Sequence, residues 1–197
     1  MQDNFEPIEL EPQANKNRKL IVAVIVVLLV IILAITCALL VKYYVISTFI
    51  VDGVSMHPTL NGGNGAYEDN DRTNGDVIYL NKIAKIKRGD IVVFTPDNGI
   101  FSEKSLVKRV IGVAGDRIQI IDNTVYLNGE KLDEPYINEP MRDNDNLDIT
   151  VEDGRIFCMG DNRNHSTDSR VFGTVPLDVV VGKCFLIKGA NGKLRAP

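Results

Sequence analysis

The stretch at residues 51–60 reads Val51-Asp52-Gly53-Val54-Ser55-Met56-His57-Pro58-Thr59-Leu60 and offers one serine between a glycine and a proline. It lies close behind a long apolar segment of the 197-residue chain. A serine in a turn is most often only a turn residue. Two later stretches give Ser55 more weight.

The first later stretch places a lysine in an apolar run, and the second is rich in turn-forming and charged residues. They read Ser105-Leu106-Val107-Lys108-Arg109-Val110-Ile111-Gly112-Val113-Ala114-Gly115-Asp116 and Met159-Gly160-Asp161-Asn162-Arg163-Asn164-His165-Ser166-Thr167-Asp168-Ser169-Arg170. Together with residues 51–60, these stretches supply a nucleophile and candidate bases for it.

The apolar segment runs from Leu20 to Val41 without a charged residue, a glycine or a proline. A helix needs about 20 apolar residues to cross the hydrocarbon core of a membrane, so the segment is predicted to span it once. A cleaved signal peptide has a shorter apolar region of about 7–15 residues. Lipidation at Cys37 and a buried helix of a soluble domain are weaker alternatives.

Flanking charges predict the orientation of this span. Lys16, Arg18 and Lys19 precede it, whereas only Lys42 follows closely. Positive residues concentrate on the cytoplasmic side of membrane helices. A cell-membrane protein is therefore predicted, with a cytoplasmic tail, one span and an extracytoplasmic domain at residues 1–19, 20–41 and 42–197. The tail is acidic and lacks apolar periodicity, so it is expected to be disordered.

After the span, short β-type runs alternate with turn signals. Strands are predicted at residues 45–51, 77–80, 91–94, 105–113, 117–121, 124–127, 155–159 and 179–187. Asn128-Gly129 is a strong hairpin signal. Residues 61–74 are predicted to form a polar loop, and the acidic segment 132–147 is expected at the surface. Together these features predict a mainly β protein whose outer domain is an all-β barrel or sandwich.

Composition narrows the function classes. The formal net charge is −4 and no basic block follows Lys42, which argues against nucleic acid as a partner. No cluster of cysteine and histidine has the spacing of a metal site, so neither a metal nor a cofactor is expected. Cys37 lies in the apolar segment, and Cys158 and Cys184 either form a disulfide or remain two buried thiols.

Ser55 needs a base to become a nucleophile, and three residues are candidates. Lys108 is flanked by apolar residues, and burial would lower its pKa from the reference of about 10.4 toward the working pH. An outward-facing lysine on an edge strand is the alternative. His165 lies in a turn with two aspartates nearby, so a Ser-His-Asp triad stays open. His57 is interpreted as an exposed polar residue.

Four motifs, taken with the N-terminal span, resemble the type I signal peptidases of bacteria. They are Ser-Met-x-Pro-Thr-Leu from Ser55, Arg-Gly-Asp-Ile-Val-Val-Phe from Arg88, Lys-Arg-Val-Ile-Gly-x-x-Gly-Asp from Lys108 and Gly-Asp-Asn-Arg-x-x-Ser-x-Asp-Ser-Arg from Gly160. The resemblance covers most of the outer domain and matches the compact Gram-positive form. It implies a membrane-anchored serine endopeptidase that cleaves N-terminal signal peptides from exported preproteins at a small-residue site.

The resemblance also implies roles for single residues. Ser55 would be the nucleophile and Lys108 its general base, and Ser166 would form a hydrogen bond that orients the lysine. The backbone N–H of Ser55 would form part of the oxyanion hole. Some family members carry a second serine donor at the position of Gly53, so a backbone donor is inferred there.

Two ion pairs are expected to hold the last motif against the lysine strand. They join Arg109 to Asp161 and Asp168 to Arg170. Small residues before a cleavage site call for shallow apolar pockets beside an extended peptide. The pocket for the residue before the scissile bond is expected to be lined by Val51, Met56, Leu60, Leu106 and Val107, with ordinary core packing as the alternative.

The implied partners are preproteins with signal peptides, the lipid membrane and, by proximity, the protein-export machinery. Two other functions stay open. The same motifs would serve a relative that processes a dedicated substrate or itself, and an anchored β module could carry an inactive site. The intact set of Ser55, Lys108 and Ser166 argues against the inactive module.

Overall fold

The computed structural model divides the chain into two compact units, Met1–Tyr44 and Val45–Pro197. It describes residues 11–63, 75–96, 105–142 and 146–197. Residues 1–10 of the predicted tail and residues 64–74 of the predicted polar loop therefore lie outside the described part of the chain.

The first unit contains one long helix, α1, at Glu11–Tyr44. Within its segment Lys16–Tyr44, a stretch of 18 residues has a mean hydropathy of 3.6, so the helix is long and apolar enough to cross a membrane. The expectation of a disordered tail is wrong for residues 11–19, which are helical. Once the apolar segment has formed a helix, good helix formers such as Lys16 and Arg18 extend it at little cost.

The second unit consists mainly of short β-strands. In chain order they are β1 (Ile46–Ile50), β2 (Val77–Asn81), β3 (Ile91–Phe94), β4 (Leu106–Val113), β5 (Arg117–Ile121), β6 (Thr124–Leu127), β7 (Glu130–Lys131), β8 (Leu147–Thr150), β9 (Arg155–Met159), β10 (Val175–Pro176), β11 (Val180–Lys188) and β12 (Leu194–Arg195). A short helix, α2, spans Ser169–Phe172, and 3₁₀ turns lie at Arg163–His165 and Leu177–Val179.

The mainly β fold is confirmed, but several elements are absent from the sequence prediction. These are β7, β8, β10, β12 and helix α2, none of which exceeds four residues. A segment of that length is too short to show a hydrophobic period of its own.

All strand pairs are antiparallel, and they form two sheets. The larger sheet has the order β1-β2-β11-β3-β4-β9-β10 with β12 paired to β11, and the smaller has the order β7-β6-β5-β8. In the larger sheet β4 lies between β3 and β9, so that Val92 faces Lys108 and Met159 faces Arg109. The lysine strand and the strand that leads into the last motif are therefore neighbours.

Tight hairpins join β5 to β6 and β6 to β7 in the smaller sheet. Asn128 and Gly129 have φ angles of 55° and 87°, and Asp122 and Asn123 have φ angles of 48° and 60°. Positive φ at both central residues is the mark of a type I′ turn, which matches the twist of the two flanking strands. The hairpin predicted at Asn128-Gly129 is confirmed.

The core of the second unit consists of three apolar clusters, and β4 contributes to all of them. Val107 belongs to the first, Ile111 to the second and Val110 to the third. Both faces of β4 are thus covered, and Lys108 is only 3% exposed. The alternative of an outward-facing lysine on an edge strand is therefore wrong.

The acidic segment 132–147 is more than a polar surface. Met141 is buried in the second cluster, and Leu132 packs against that cluster. Glu134 forms an ion pair with Arg163, and both side chains are nearly inaccessible to solvent. The few inward-facing residues are hidden in sequence among many charged ones, which is why the pattern indicates surface alone.

Candidate active site

Ser55 lies in the turn-rich segment between β1 and β2, where glycines allow the backbone to pass close to itself. Gly53 has a φ of +89°, which residues with a side chain rarely adopt. A Cβ at Gly62 would lie 1.9 Å from Gly53 O, and a Cβ at Gly75 would lie 2.2 Å from Val51 O. The backbone that leads into Ser55 is therefore tightly packed against residues on both sides of the following loop.

Lys108 on β4 brings its amine to this serine. Its Nζ lies 2.8 Å from Ser55 Oγ and donates a hydrogen bond to Val107 O at 3.0 Å. Burial lowers the pKa of Lys108 to about 8, against smaller opposing effects of Asp168, Cys158 and other charges. A lysine with such a pKa is partly neutral near neutral pH, so it can accept the proton of a hydroxyl group.

Neither histidine is placed to act on Ser55. His57 and His165 are both exposed. The backbone N–H of His57 donates to Val54 O and that of His165 to Asn162 O, each at 3.0 Å. Across the described ranges, the structure records no hydrogen bond from either imidazole to Ser55. The geometry therefore does not support a histidine triad.

Arg109, the next residue on β4, makes a bidentate contact with Asp161. Arg109 Nε lies 2.8 Å from Asp161 Oδ1, and Arg109 Nη2 lies 2.7 Å from Asp161 Oδ2. Thr59 Oγ1 donates to the same carboxylate at 2.5 Å. Residues from the serine turn, the lysine strand and the last motif thus meet at one buried carboxylate.

Asp168 and Arg170 hold the end of the last motif. Arg170 Nε and Nη2 each lie 2.8 Å from an oxygen of Asp168, and Gly160 N–H donates to Asp168 Oδ2 at 2.9 Å. Arg170 also donates to Arg163 O at 2.7 Å and to Ser166 O at 3.3 Å. The loop from Gly160 to Arg170 is therefore closed on itself by charge-assisted hydrogen bonds.

Ser166 is close to the site, but its hydroxyl does not bond to the lysine. A Cβ at Gly160 would lie 2.3 Å from Ser166 Oγ and 2.5 Å from Ser55 O, which shows how tightly the three residues pack. The buried Ser166 Oγ has no hydrogen-bond partner within the described residues. The hydrogen bond expected from Ser166 to Lys108 is thus not formed in this geometry, although an ammonium group has a third N–H to offer.

The chain matches a known protein family over most of its length. Residues 21–188 match the family model described as signal peptidase, peptidase S26. The chain belongs to this signal peptidase family. It is a type I signal peptidase and a serine endopeptidase, and its substrates are preproteins with signal peptides. The resemblance seen in the sequence is confirmed.

Individual relatives match most of this signal peptidase. Signal peptidase I T of Bacillus subtilis is 35% identical over 159 residues, covering 76% of this chain and 77% of its own length. Signal peptidase I of Bacillus caldolyticus is 37% identical, covering 72% of this chain and 79% of its own length. A crystal structure of a signal peptidase I from Enterococcus faecalis is 34% identical with a TM-score of 0.44, covering 51% of this chain and 97% of that one.

The residues predicted to line the substrate pocket of the peptidase do not all pack together. Val51, Met56, Leu60 and Val107 are buried in the first core cluster, whereas Leu106 packs against the third. Val51, Met56 and Leu60 are at most 3% exposed, so they act as core in this geometry. Their contact with a substrate stays a prediction.

The sequence prediction assigns no role to four residues of the peptidase site: Glu134, Tyr136, Asn162 and Arg163. Arg163 Nη1 and Nη2 donate to Glu134 at 2.8 and 2.5 Å. The Tyr136 ring lies 4.2 Å from the guanidinium carbon of Arg109. Asn162 donates to the backbone on both sides of Ser55. Several acidic residues in the segment 132–147 could have paired with Arg163, so the sequence offers no signal that selects one.

Further contacts complete the surroundings of the site. Arg195 on β12 donates to Thr59 O at 2.8 Å and to Asp76 at 2.6 Å, which ties the C-terminal strand to the serine turn.

Cys158 and Cys184 are free buried thiols in different core clusters, so the disulfide alternative is wrong. Burial raises the pKa of Cys184 to about 11. Within the described ranges, no group of three His, Cys, Asp or Glu residues could hold a metal ion.

Proposed function

We propose that this signal peptidase cleaves its substrates with Ser55 as nucleophile and Lys108 as general base. The observation that carries the proposal is the 2.8 Å separation of Lys108 Nζ from Ser55 Oγ, made by a lysine that is 3% exposed. Burial holds the pKa of Lys108 at about 8. Geometry and proton affinity therefore favour the same pair.

The reaction follows from this pair. Neutral Lys108 takes the hydroxyl proton of Ser55 as Oγ attacks the carbonyl carbon of the scissile peptide bond. The protonated lysine then donates to the leaving amine, and an acyl-enzyme ester remains on Ser55. Lys108 next takes a proton from a water molecule that attacks this ester, and Oγ leaves with that proton. The hydrogen bond from Lys108 Nζ to Val107 O keeps the amine in place between these steps.

The developing oxyanion needs hydrogen-bond donors fixed before the reaction. The Ser55 N–H is one proposed donor, and a backbone group at Gly53 is the second. The close approaches of Gly62 and Gly75 support this role, because they limit movement of the backbone around Gly53 and Val51. Ser166 is proposed to orient Lys108 when its hydroxyl turns toward the amine.

Membrane topology belongs to the same proposal. Helix α1 anchors the peptidase, with the basic residues at its start on the cytoplasmic side and the β domain on the outer side. Small side chains before the cleavage site of a signal peptide fit shallow apolar pockets next to Ser55. Exported preproteins cross the same membrane, so the export machinery is expected to lie close to the enzyme.

The test is cleavage of a purified preprotein by the full-length protein in detergent over a pH series. Ser55→Ala and Lys108→Met are expected to lose turnover, whereas His165→Ala and the exposed-lysine control Lys131→Met are expected to keep it. If Lys108→Met stays active and His165→Ala is inactive, the Ser55–Lys108 dyad is wrong and a Ser-His-Asp triad with His165 takes its place. An inactive wild type tested on several preproteins would favour a dedicated substrate.

A further inference from the structure

One asparagine holds both peptide groups that flank Ser55. The backbone N–H of Asn162 donates to Ser55 O at 3.0 Å, and its side-chain Nδ2 donates to Val54 O at 3.1 Å. Asn162 is 8% exposed. The bond to Val54 O reaches across 108 positions in sequence. Both bonds therefore fix the serine turn against the last motif rather than within itself.

The bond to Val54 O has a consequence on the other side of the peptide group. Val54 O and the N–H of Ser55 belong to one planar trans peptide, in which the C=O and the N–H point in opposite directions. A donor that holds the oxygen therefore sets the direction of the N–H. It also polarises the amide, which strengthens that N–H as a donor. His57 N–H donates to Val54 O as well, at 3.0 Å, so the carbonyl accepts two hydrogen bonds.

Asn162 can serve as a fixed reference because its neighbours are held. Asp161 is bound by Arg109, and Arg163 is bound by Glu134 and by Gly160 O. The carbonyl of Asn162 accepts from His165 N–H at 3.0 Å. The backbone of Asn162 is therefore held by anchored neighbours on both sides, and its side-chain amide is held by the hydrogen bond to Val54 O.

We infer that Asn162 is a positioning residue that aims the Ser55 N–H at the oxyanion of the acylation step. The inference rests on the proposed function of Ser55. It assigns to Asn162 no contact with substrate and no proton transfer. Its effect belongs to the transition state, because the oxyanion charge develops only there.

The test compares Asn162→Asp and Asn162→Ala with Asn164→Asp in the full-length protein. Asn162→Asp keeps the size and the backbone N–H but cannot donate to Val54 O, and Asn162→Ala removes the donor without adding charge. Asn164 is the control, because it lies in the same loop as Asn162 but its amide donates to Glu139 and to Pro140 O rather than to the serine turn. Steady-state cleavage of a signal-peptide substrate, its pH profile and the thermal unfolding midpoint are measured for each.

Outright loss of an oxyanion donor costs about 10²–10³ in kcat, so a misdirected donor is expected to cost about 10- to 100-fold. Both Asn162 variants should show this loss in kcat, with KM changed less than about twofold and, for Asn162→Ala, an unchanged pH midpoint. Asn164→Asp should keep the kcat and KM of the wild type, because the hydrogen bond that it loses to Glu139 belongs to the fold and shows in the unfolding midpoint.

Three results would overturn the inference: wild-type kcat in both Asn162 variants, a loss confined to KM, or a loss that merely follows a lower unfolding midpoint. Ser55→Ala is run in parallel to separate this inference from the proposed function. A Ser55→Ala protein that still cleaves the substrate overturns the assignment of the nucleophile, on which the inference depends.

Discussion

Lys108 and Asp168 are both buried, at 3% and 0% exposure, yet they form no ion pair with each other. The carboxylate of Asp168 instead accepts from Arg170 Nε and Nη2 at 2.8 Å each and from Gly160 N–H at 2.9 Å. The charge of Asp168 therefore raises the pKa of Lys108 by less than burial lowers it. The net result is a pKa of about 8. An acid that paired directly with the lysine would keep it charged and useless as a base.

The first prediction concerns the pH profile of the wild type. Lys108 must be neutral to accept the proton of Ser55, so kcat/KM should rise with pH through a midpoint of about 8. Initial rates of preprotein cleavage at low substrate concentration between pH 6 and pH 10 measure this midpoint. A midpoint of about 6.5 would instead indicate a histidine base.

The second prediction is that Arg170→Gln raises this midpoint. The charge of Arg170 lowers the pKa of Lys108, and the side chain occupies Asp168, whose charge raises it. Without Arg170, the positive charge that lowers the pKa of Lys108 is gone, and the negative charge of Asp168 is no longer neutralised by a partner. Both changes stabilise the charged form of Lys108 and so raise its pKa. The rising limb of kcat/KM should move to higher pH. Arg142→Gln, at a more exposed arginine nearby, is the control and should leave the midpoint in place.

The third prediction is that Lys108→Met stabilises the protein below pH 8 while abolishing activity. The pKa of Lys108 is lowered from 10.5 to about 8 in the folded state, so between these values the unfolded chain binds more protons and wild-type stability rises with pH. The shift corresponds to about 3 kcal/mol. The advantage of Lys108→Met in urea unfolding should be largest below pH 8 and should shrink toward pH 10.5. Lys131→Met should show no such trend.

Much of this site could be predicted because its parts lie in compact sequence motifs. Ser55 and Lys108 each lie within a short continuous motif. The family resemblance implies that Lys108 acts as the base for Ser55. The burial of Lys108 could not be predicted from the strand itself. A strand covered on both faces reads as a continuous apolar run, and the adjacent Lys108 and Arg109 interrupt that run, so periodicity gives no direction for either side chain.

The contacts that escape prediction join residues far apart in sequence. Glu134 and Arg163 are separated by 29 positions, and Asn162 and Val54 by 108. Hydrogen bonds of this kind depend on how the fold brings the segment after β9 against the serine turn and against the segment after β7, and no local pattern encodes them. The free hydroxyl of Ser166 is a similar case, because a motif fixes the residue type but not its rotamer.

The fourth prediction is that Asp161→Asn strongly destabilises the fold. Asp161 is fully buried and neutralises Arg109, whose guanidinium would be left buried with no opposite charge. Loss of one partner of a buried pair costs about 3–5 kcal/mol. Chemical unfolding at pH 7 measures the change in the free energy of unfolding. The control is Asp148→Asn, which breaks the exposed pair with Arg117 and should change stability little.

The fifth prediction separates the Glu134–Arg163 pair from the chemistry. Glu134→Gln leaves the guanidinium of Arg163 buried without its carboxylate, and one acceptor oxygen is left for Arg163 and the Tyr136 hydroxyl, so it should cost about 3 kcal/mol of stability. Glu134 is not among the charges that set the pKa of Lys108, so the pH midpoint of kcat/KM should stay at about 8. Unfolding curves and pH profiles of Glu134→Gln and of the exposed control Glu130→Gln test both statements. A moved midpoint with unchanged stability would show that Glu134 acts on the lysine rather than on the fold.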